Sequence, residues 1–186
     1  MSKPKSLLDT PDDAGPLILD ACCGGKLMYH GLEQNIPKGR FVSIDVRRGD
    51  FWYRNAFNSK HDRVTRVRPD VIADMQHLPF RNSIFHLIIF DPPHAKFSKT
   101  SYFAKRYGSM DDVNFSNLSV NDEFTRVLRR SGLILAKIYS KRRAQLLTIL
   151  GGFVPFLDIW HKSKSYKSCG VVHWILFCQV GGVSLN

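Results

Sequence analysis

The stretch from Ile84 to His94, IFHLIIFDPPH, constrains the fold more than any other part of the chain. Its apolar residues follow one another without polar alternation from Leu87 to Phe90, which is typical of a central parallel strand buried on both faces. The strand must end at Asp91, because the two prolines that follow cannot donate ladder hydrogen bonds and hold the backbone extended. We therefore expect Asp91 and His94 to project from the carboxyl edge of a parallel sheet, where open α/β folds bind ligands.

A second apolar segment also runs into an acid. Leu17 to Leu19 read as a short strand that leads into Asp20 and the turn DACCGG, and Lys26 to Glu33 can form the helix of a βα unit. Glycine lets the backbone pass close to a ligand, and the start of a helix offers unpaired N–H groups. The turn at Gly24 predicts a binding loop, although a plain turn would have the same sequence.

Two further strands are predicted to end in acids. The segment Gly39 to Val46 is predicted to be a strand that ends at Asp45. The distance of Asp45 from the glycine turn is typical of an acid that binds ribose hydroxyls. The alternative is that Asp45 caps the next helix. Pro69 to Ala73 ends at Asp74. A parallel sheet would place these acids beside Asp20 along one edge, a more specific pattern than any one of them.

The rest of the chain continues the α/β pattern. Ser119 can cap a helix to Arg130, the strand Leu133 to Ile138 follows, and Ser140 can cap a helix that Gly151 ends. Two last strands are predicted, Phe156 to Trp160 and His173 to Val180. Because the 12 residues between them are too few for a helical crossover, we expect an antiparallel hairpin at the sheet's edge.

Composition restricts the class of protein. The 186 residues, 44% of them hydrophobic, suit one domain over residues 16–186 after a flexible polar arm over residues 1–15. Lys and Arg number 27 against 16 for Asp and Glu, so the formal charge of +11 favours a nucleic-acid partner, with solubility as the alternative. No apolar run approaches the roughly 20 residues of a membrane span, and the polar start lacks a secretory core. We expect a cytoplasmic protein without membrane contact.

Basic and aromatic side chains are interleaved in two segments. Residues 47–69 contain six arginines and the run FWY, which suits phosphate contact with base stacking or a solvated loop with an aromatic anchor. Residues 95–117 form a long basic segment after DPPH, predicted to be a substrate lid, with a disordered connector as the alternative.

The cysteines predict no metal site. None of the four belongs to a CxxC pair or lies at finger spacing from histidine, so we expect reduced thiols.

Taken together, the motifs LILDACCGG, SIDV, IADM and DPPH resemble, in order and spacing, the class I S-adenosylmethionine-dependent methyltransferases of the amino-methylating DPPY type. Within that group the chain is similar to small stand-alone enzymes of phages and prophages, and the likeness covers most of residues 16–180. The resemblance implies a Rossmann-like, doubly wound sheet of seven mostly parallel strands with an antiparallel C-terminal hairpin. It also implies S-adenosylmethionine as the cofactor.

The resemblance assigns six residues to the cofactor: Asp20, Cys22, Gly24, Asp45, Asp74 and Met75. Asp20, Cys22 and Gly24 would border the methionine moiety, where DACCGG departs from the family's alternate glycines. Asp45 would accept from the ribose hydroxyls. Asp74 and Met75 would hold the adenine, since a carboxylate accepts from the exocyclic amine and a methionine packs on the ring face.

The resemblance assigns the target amine to Asp91, Pro92, Pro93 and His94. If Asp91 and the Pro92 carbonyl each accept an N–H, the nitrogen becomes a better nucleophile and its developing charge is stabilised. His94 stands where the family usually has Tyr, Phe or Trp, and its ring offers a stacking face for a flipped base.

Several functions remain open at this point. The expected reaction is methyl transfer to an exocyclic amine of DNA or RNA, with adenine N6 first. The alternatives are a protein amide N-methyltransferase and a non-catalytic nucleotide- or RNA-binding module. Because no separate recognition domain is present, target selection would come from the basic loops or from a partner protein.

Overall fold

A computed structural model describes residues 15–24, 40–54, 62–93, 104, 119–162 and 170–180. The arm over residues 1–14, the helix expected at Lys26 to Glu33 and His94 lie outside the described residues, as do Cys169 and all of the expected lid except Ala104. None of the helices within the described ranges is long and apolar enough to span a membrane.

Nine strands are described, seven of them in one sheet. They are β1 Ile18–Asp20, β2 Phe41–Asp45, β3 Gly49–Arg54, β4 Asp62–Val67, β5 Val71–Ile72, β6 Phe85–Phe90, β7 Leu128–Tyr139, β8 Phe153–Lys162 and β9 Val171–Gln179. The large sheet has the order β5-β2-β1-β6-β7-β9-β8, with parallel pairs from β5 to β7 and antiparallel pairs at β7–β9 and β9–β8. This confirms the predicted Rossmann-like sheet with its antiparallel C-terminal hairpin.

The strand before DPPH lies at the centre of the sheet, as predicted. β6 runs between β1 and β7, and Phe85, Ile88 and Phe90 on it are fully buried. Phe90 packs edge to face on Phe124, with ring centroids 5.2 Å apart. The strand begins two residues earlier than the apolar run suggested, because Phe85 already pairs with Leu128 of β7.

The helices are shorter than predicted. Helix α1 spans Ser119–Val127, and β7 begins at the next residue, so the expected helix end at Arg130 is wrong. Gly132 lies within β7, in the stretch between Leu128 and Leu133 where the register with β6 shifts, and a Cβ there would lie 2.6 Å from Leu128 Cγ.

After β7, a 3₁₀ turn over Ser140–Arg142 leads into helix α2, Arg143–Ile149. Ser140 does not cap it, since the Ser140 hydroxyl donates to the Val171 carbonyl at 2.7 Å. A tertiary contact with β9 has replaced the predicted local one.

The basic segment after Asp45 is not simply a loop. Strands β3 and β4 pair antiparallel, in a hairpin that lies within the connection between parallel strands β2 and β5. Such connections usually contain a helix. Val67 on β4 is fully buried, so one face of this hairpin packs against the protein.

An ion-pair clamp on α1 holds the turn over residues 78–82. Arg126 donates to both oxygens of Glu123 at 2.7 and 2.6 Å, and to the carbonyls of Leu78 at 2.8 Å and Phe80 at 2.6 Å. Glu123 in turn accepts from the Leu78 N–H at 2.6 Å. The clamp fixes the chain that leads from β5 into the central strand.

Candidate active site

Three carboxylates from three adjacent parallel strands lie at one edge of the sheet. Asp20 ends β1, Asp45 ends β2, and Asp91 follows β6 directly. Because β1 lies between β2 and β6, the order of the sheet brings these acids together. Asp74 follows two residues after the end of β5, the next strand outward. The predicted row of acids is therefore at the carboxyl edge.

The turn after β1 is held by both neighbouring strands. The N–H of Ala21 donates to the Ile89 carbonyl at 3.0 Å, and the N–H of Cys23 donates to the Ile44 carbonyl at 2.9 Å. The Asp20 carboxylate, 1% exposed, accepts from the Cys22 N–H at 3.1 Å. The buried Asp20 side chain therefore stabilises the turn.

Gly24 has a special backbone conformation in this turn. Its φ of +47° is in the left-handed region that favours glycine, and a Cβ built there would meet no atom of the described residues within 4 Å. Its N–H donates to Asp45 Oδ2 at 3.0 Å, across to the next strand. Gly24 thus connects the turn after β1 to the acid that ends β2.

The Cys22 thiol lies among the acids. Burial raises its pKa well above the usual range, and the negative charges of Asp20, Asp45 and Asp91 raise it further. Its Sγ lies 3.8 Å from Met75 Sδ. Cys22 is therefore a neutral thiol at neutral pH, and the region around it has a negative potential that favours a cationic ligand.

Asp45 is the most heavily hydrogen-bonded of the described acids. Besides the hydrogen bond from the Gly24 N–H, its carboxylate accepts three hydrogen bonds from Arg47. The donors are the Arg47 backbone N–H at 2.8 Å, Arg47 Nε at 3.0 Å and Arg47 Nη2 at 3.3 Å. A carboxylate has about four acceptor positions, so those of Asp45 are filled. The Arg47 guanidinium also lies over the ring of Phe51 on β3, 5.5 Å from its centroid. Arg47 thus joins the acid to the hairpin.

Asp74 and Met75 lie beyond the end of β5. Asp74 is half-buried and accepts from the Gln76 N–H at 2.9 Å, while Met75 is buried against the Cys22 side of the site. They are the outermost of the predicted cofactor residues.

Asp91 has a partner that sequence analysis missed. Its Oδ2 accepts from Lys137 Nζ at 2.9 Å, and the same ammonium lies 5.6 Å from the centroid of the Trp174 ring. Pro92 is buried and Pro93 half-buried, so the residues after Asp91 are held by packing. A lysine inside the apolar run LILAKI was the available signal, since a charge in such a strand needs a partner.

Six predicted cofactor residues and three of the four predicted catalytic residues lie within the described part of the chain, and all nine are at or directly after the carboxyl edge. Within the described residues, Cys22, Cys23 and Cys178 are free thiols, and no group of three or more His, Cys, Asp or Glu side chains is arranged to hold a metal ion.

No protein-family model and no curated protein sequence matches this chain. Several solved structures with similar folds are methyltransferases. An S-adenosylmethionine-dependent methyltransferase from Methanosarcina mazei has a TM-score of 0.59 at 11% identity, over 90% of this chain and 93% of that one.

Two others differ in substrate. The 1,6-didemethyltoxoflavin-N1-methyltransferase of Burkholderia thailandensis, solved with 1,6-didemethyltoxoflavin and S-adenosylhomocysteine, has a TM-score of 0.51 at 12% identity, over 90% of this chain and 72% of that one. The 16S rRNA (adenine(1408)-N(1))-methyltransferase of Catenulisporales acidiphilia has a TM-score of 0.51 at 10% identity, over 90% of this chain and 86% of that one. The chain therefore has the Rossmann-like fold of S-adenosylmethionine-dependent methyltransferases, a fold that serves varied substrates.

Proposed function

We propose that this protein is an S-adenosylmethionine-dependent N-methyltransferase that acts on an exocyclic amino group of a nucleic-acid base, with adenine N6 as the first candidate. The observation that carries the proposal is the convergence of Asp20, Asp45 and Asp91 at the ends of three adjacent parallel strands, with a proline-rigid segment after the third. Ligands of open α/β sheets bind at this edge.

The described residues fit the cofactor. No atom of the described residues lies within 4 Å of a Cβ built on Gly24, and the acids around Cys22 favour a group that carries a positive charge, as a sulfonium does. Asp45 would accept from the ribose hydroxyls, and Asp74 with Met75 would hold the adenine. Bound S-adenosylmethionine would supply an electrophilic methyl group on its sulfonium.

Arg47 must move when Asp45 accepts from a ribose. The acceptor positions of Asp45 are filled by Gly24 and Arg47, and the Gly24 contact belongs to the turn itself. The longest of the side-chain contacts, from Arg47 Nη2 at 3.3 Å, is the one most easily given up. Loss of the Arg47 Nη2 hydrogen bond, with the other two Arg47 contacts kept, is therefore part of cofactor binding in this proposal.

The target amine would lie against Asp91 and Pro92. A base amine is a poor nucleophile because its lone pair is delocalised into the ring, and acceptors for both N–H groups oppose that delocalisation. Asp91 and the Pro92 carbonyl can accept one N–H each, and the buried Pro92 keeps the pair rigid. The Asp91 carboxylate also stabilises the positive charge that develops on the nitrogen during transfer.

Charge supports a polyanionic target. The formal charge of +11 favours DNA or RNA over a neutral peptide amide. One enzyme of similar fold acts on adenine in 16S rRNA, so the fold accommodates an RNA base.

The test is a methylation assay with mixed cellular RNA and DNA, followed by mass spectrometry of the nucleosides. Replacement Asp91→Ala should lower transfer by on the order of a hundredfold, because one preorganised electrostatic contact is lost. Its affinity for S-adenosylmethionine, measured by calorimetry, should stay close to that of the wild type, since Asp91 lies on the target side.

Asp158→Asn is the matched control, because Asp158 is another half-buried acid in an ion pair, with Arg143 on the β8 side of the sheet. It should transfer methyl groups at the native rate. Native transfer by a folded Asp91→Ala protein would refute the amine-binding role of Asp91, and the absence of any methylated nucleoside would refute the nucleic-acid target.

A further inference from the structure

The connection between β2 and β5 contains an unusual element, the β3–β4 hairpin. We propose that the outward face of this hairpin is a nucleic-acid contact surface, where Trp52 stacks on a base and Arg48 and Arg66 contact phosphates. This inference rests on the nucleic-acid target proposed above and gives that target a place on the protein. Three properties of the hairpin support the proposal: its charge, its exposure and its position.

The register of the hairpin separates an inward and an outward face. Thr65 and Val67 lie on the inward face and are 7% and 0% exposed. The side chains of the next residues along each strand point the other way, since successive residues of a strand alternate. Trp52, paired with Val64, is on this outward face and is 60% exposed.

An exposed tryptophan next to a pair of charged side chains is suited to a planar, charged partner. Asp50 pairs with Arg66 across the outward face, one position before the Trp52 pair. A protein interface would place a tryptophan in an apolar patch depleted of charge. A single-stranded nucleic acid instead offers the π-face of a base for the indole and backbone phosphates for the neighbouring arginines.

The charge of the hairpin is strongly positive. Its strands and flanks contain six arginines and two aspartates. Arg68 neutralises Asp50 in an ion pair. Arg48 and Arg66 are exposed, and within the part of the chain that the structure describes neither guanidinium has an ion pair or hydrogen bond. Their donors are available to phosphate oxygens.

The hairpin is directly attached to the candidate active site. Arg47 contacts Asp45 at 3.0 Å and lies 5.5 Å from the ring centroid of Phe51 on β3. A strand of nucleic acid on the hairpin would therefore pass beside the acids that end β1 and β2. This position suits an element that holds the polymer while one base enters the site.

The experiment measures binding of fluorescein-labelled single-stranded RNA and DNA 20-mers of mixed sequence to the full chain by anisotropy. Trp52→Ala should weaken binding by about tenfold, the usual scale for one base–aromatic stack, and Trp52→Phe should keep most of the affinity. Arg66→Gln should lower the slope of log K against log salt by about 0.7, as expected for one lost phosphate contact with a single strand. The RNA and DNA arms show which polymer the hairpin prefers.

Phe156→Ala is the matched control, because Phe156 is an aromatic residue of similar exposure, 55%, on the opposite edge strand β8. It should bind both oligonucleotides like the wild type. Native affinity of the Trp52→Ala protein, or an equal loss in the Phe156→Ala protein, would overturn the inference.

The two proposals can fail separately. If the protein binds S-adenosylmethionine and methylates nucleosides, but replacement of Trp52 or Arg66 does not change its affinity for oligonucleotides, only the hairpin proposal is refuted. If replacement of Trp52 weakens oligonucleotide binding, but the protein neither binds S-adenosylmethionine nor methylates nucleosides, the catalytic proposal is refuted and the hairpin proposal stands.

Discussion

Lys137 is the side chain whose environment most affects the predicted chemistry of Asp91. It is the only charged residue in the segment 133–139 of β7, and its ammonium contacts both Asp91, at 2.9 Å, and the Trp174 ring, at 5.6 Å. These contacts restrict the rotamer of Lys137 and, through it, that of Asp91. A carboxylate held in one position needs less reorganisation when charge develops on the substrate. Lys137 is thus a positioning residue in the proposed mechanism.

Replacement Lys137→Met should lower kcat by about tenfold to a hundredfold, the cost of one hydrogen bond to a charged group. KM for the nucleic acid and affinity for S-adenosylmethionine should change little, because the contact acts through Asp91 on the chemical step. Lys137→Arg should restore part of the rate, since it retains the cation. Steady-state kinetics on the same substrate measure all three.

Trp174→Phe is the control, because it keeps an aromatic face beside the ammonium. It should remain within a few-fold of the wild-type kcat. An equal loss of cofactor affinity and kcat in Lys137→Met would indicate a structural role and contradict the positioning role.

At the scale of elements, the clamp between α1 and the turn over residues 78–82 connects helix packing to the sheet. The hydrogen bond from Arg126 lowers the pKa of Glu123, against the partial burial that raises it. The same contact raises the pKa of Arg126. A carboxylate whose pKa is lowered by folding stabilises the protein above its unfolded pKa of about 4.3, and this contribution is lost as the pH falls through the folded value.

Replacement Arg126→Gln should lower the free energy of unfolding by about 1 to 3 kcal/mol at pH 7, because Glu123 and the carbonyls of the turn lose their donor. The difference from the wild type should shrink as the pH falls below about 4, since Glu123 is then increasingly protonated in both proteins. Urea unfolding followed by circular dichroism at pH 7 and pH 3 measures the effect.

Asp122→Asn is the control on the same helix. Asp122 is exposed, so its replacement should change the free energy of unfolding by less than about 0.5 kcal/mol. A pH-independent effect of Arg126→Gln would show that the ion pair with Glu123 does not contribute to stability.

The β3–β4 hairpin is the other element that departs from expectation. A β2–β5 connection of this kind usually contains a helix, and the segment's alternating apolar positions are obscured by its arginines. The buried Val67 and the cation–π contact between Arg47 and Phe51 show that the hairpin is fixed to the protein at its base. Its tip, residues 55–61, lies outside the described residues.

At the scale of the whole molecule, the candidate cofactor residues lie at or just after the ends of three strands of one sheet, β1, β2 and β5, so a bound ligand should stabilise the entire fold. S-adenosylhomocysteine at about 100 times its Kd should contribute about 2.7 kcal/mol. For a chain of this size that corresponds to a rise in Tm of about 5 to 10 °C. Thermal unfolding followed by differential scanning fluorimetry measures the shift.

Asp45→Asn should reduce this shift, because an amide is a poorer acceptor for ribose hydroxyls, while its oxygen can still accept from Gly24 and preserve the turn. Guanosine at the same concentration is the control ligand and should leave Tm unchanged. A wild-type shift that Asp45→Asn leaves intact would remove Asp45 from the cofactor site.

Local sequence was sufficient for the features that depend on local chemistry. The uninterrupted apolar run before Asp91 and the prolines after it predicted the central strand and its end. The acids at three other strand ends follow from the same pattern, and the short spacing between the last two strands predicted their antiparallel pairing. Each of these predictions used neighbouring residues only, and the structure confirmed the central strand and the antiparallel pair at the edge of the sheet.

Only the tertiary structure decided which distant groups meet. Asp91 and Lys137 are separated by 46 positions, and Ser140 donates to a carbonyl 31 positions away, so neither contact is visible in a local pattern. The end of α1 was decided by the pairing of Leu128 with Phe85, which overrode the helical pattern up to Arg130. Side-chain partners are chosen by the geometry of the sheet, because ion pairs and ladder hydrogen bonds join whichever residues the fold brings within about 3 Å of each other.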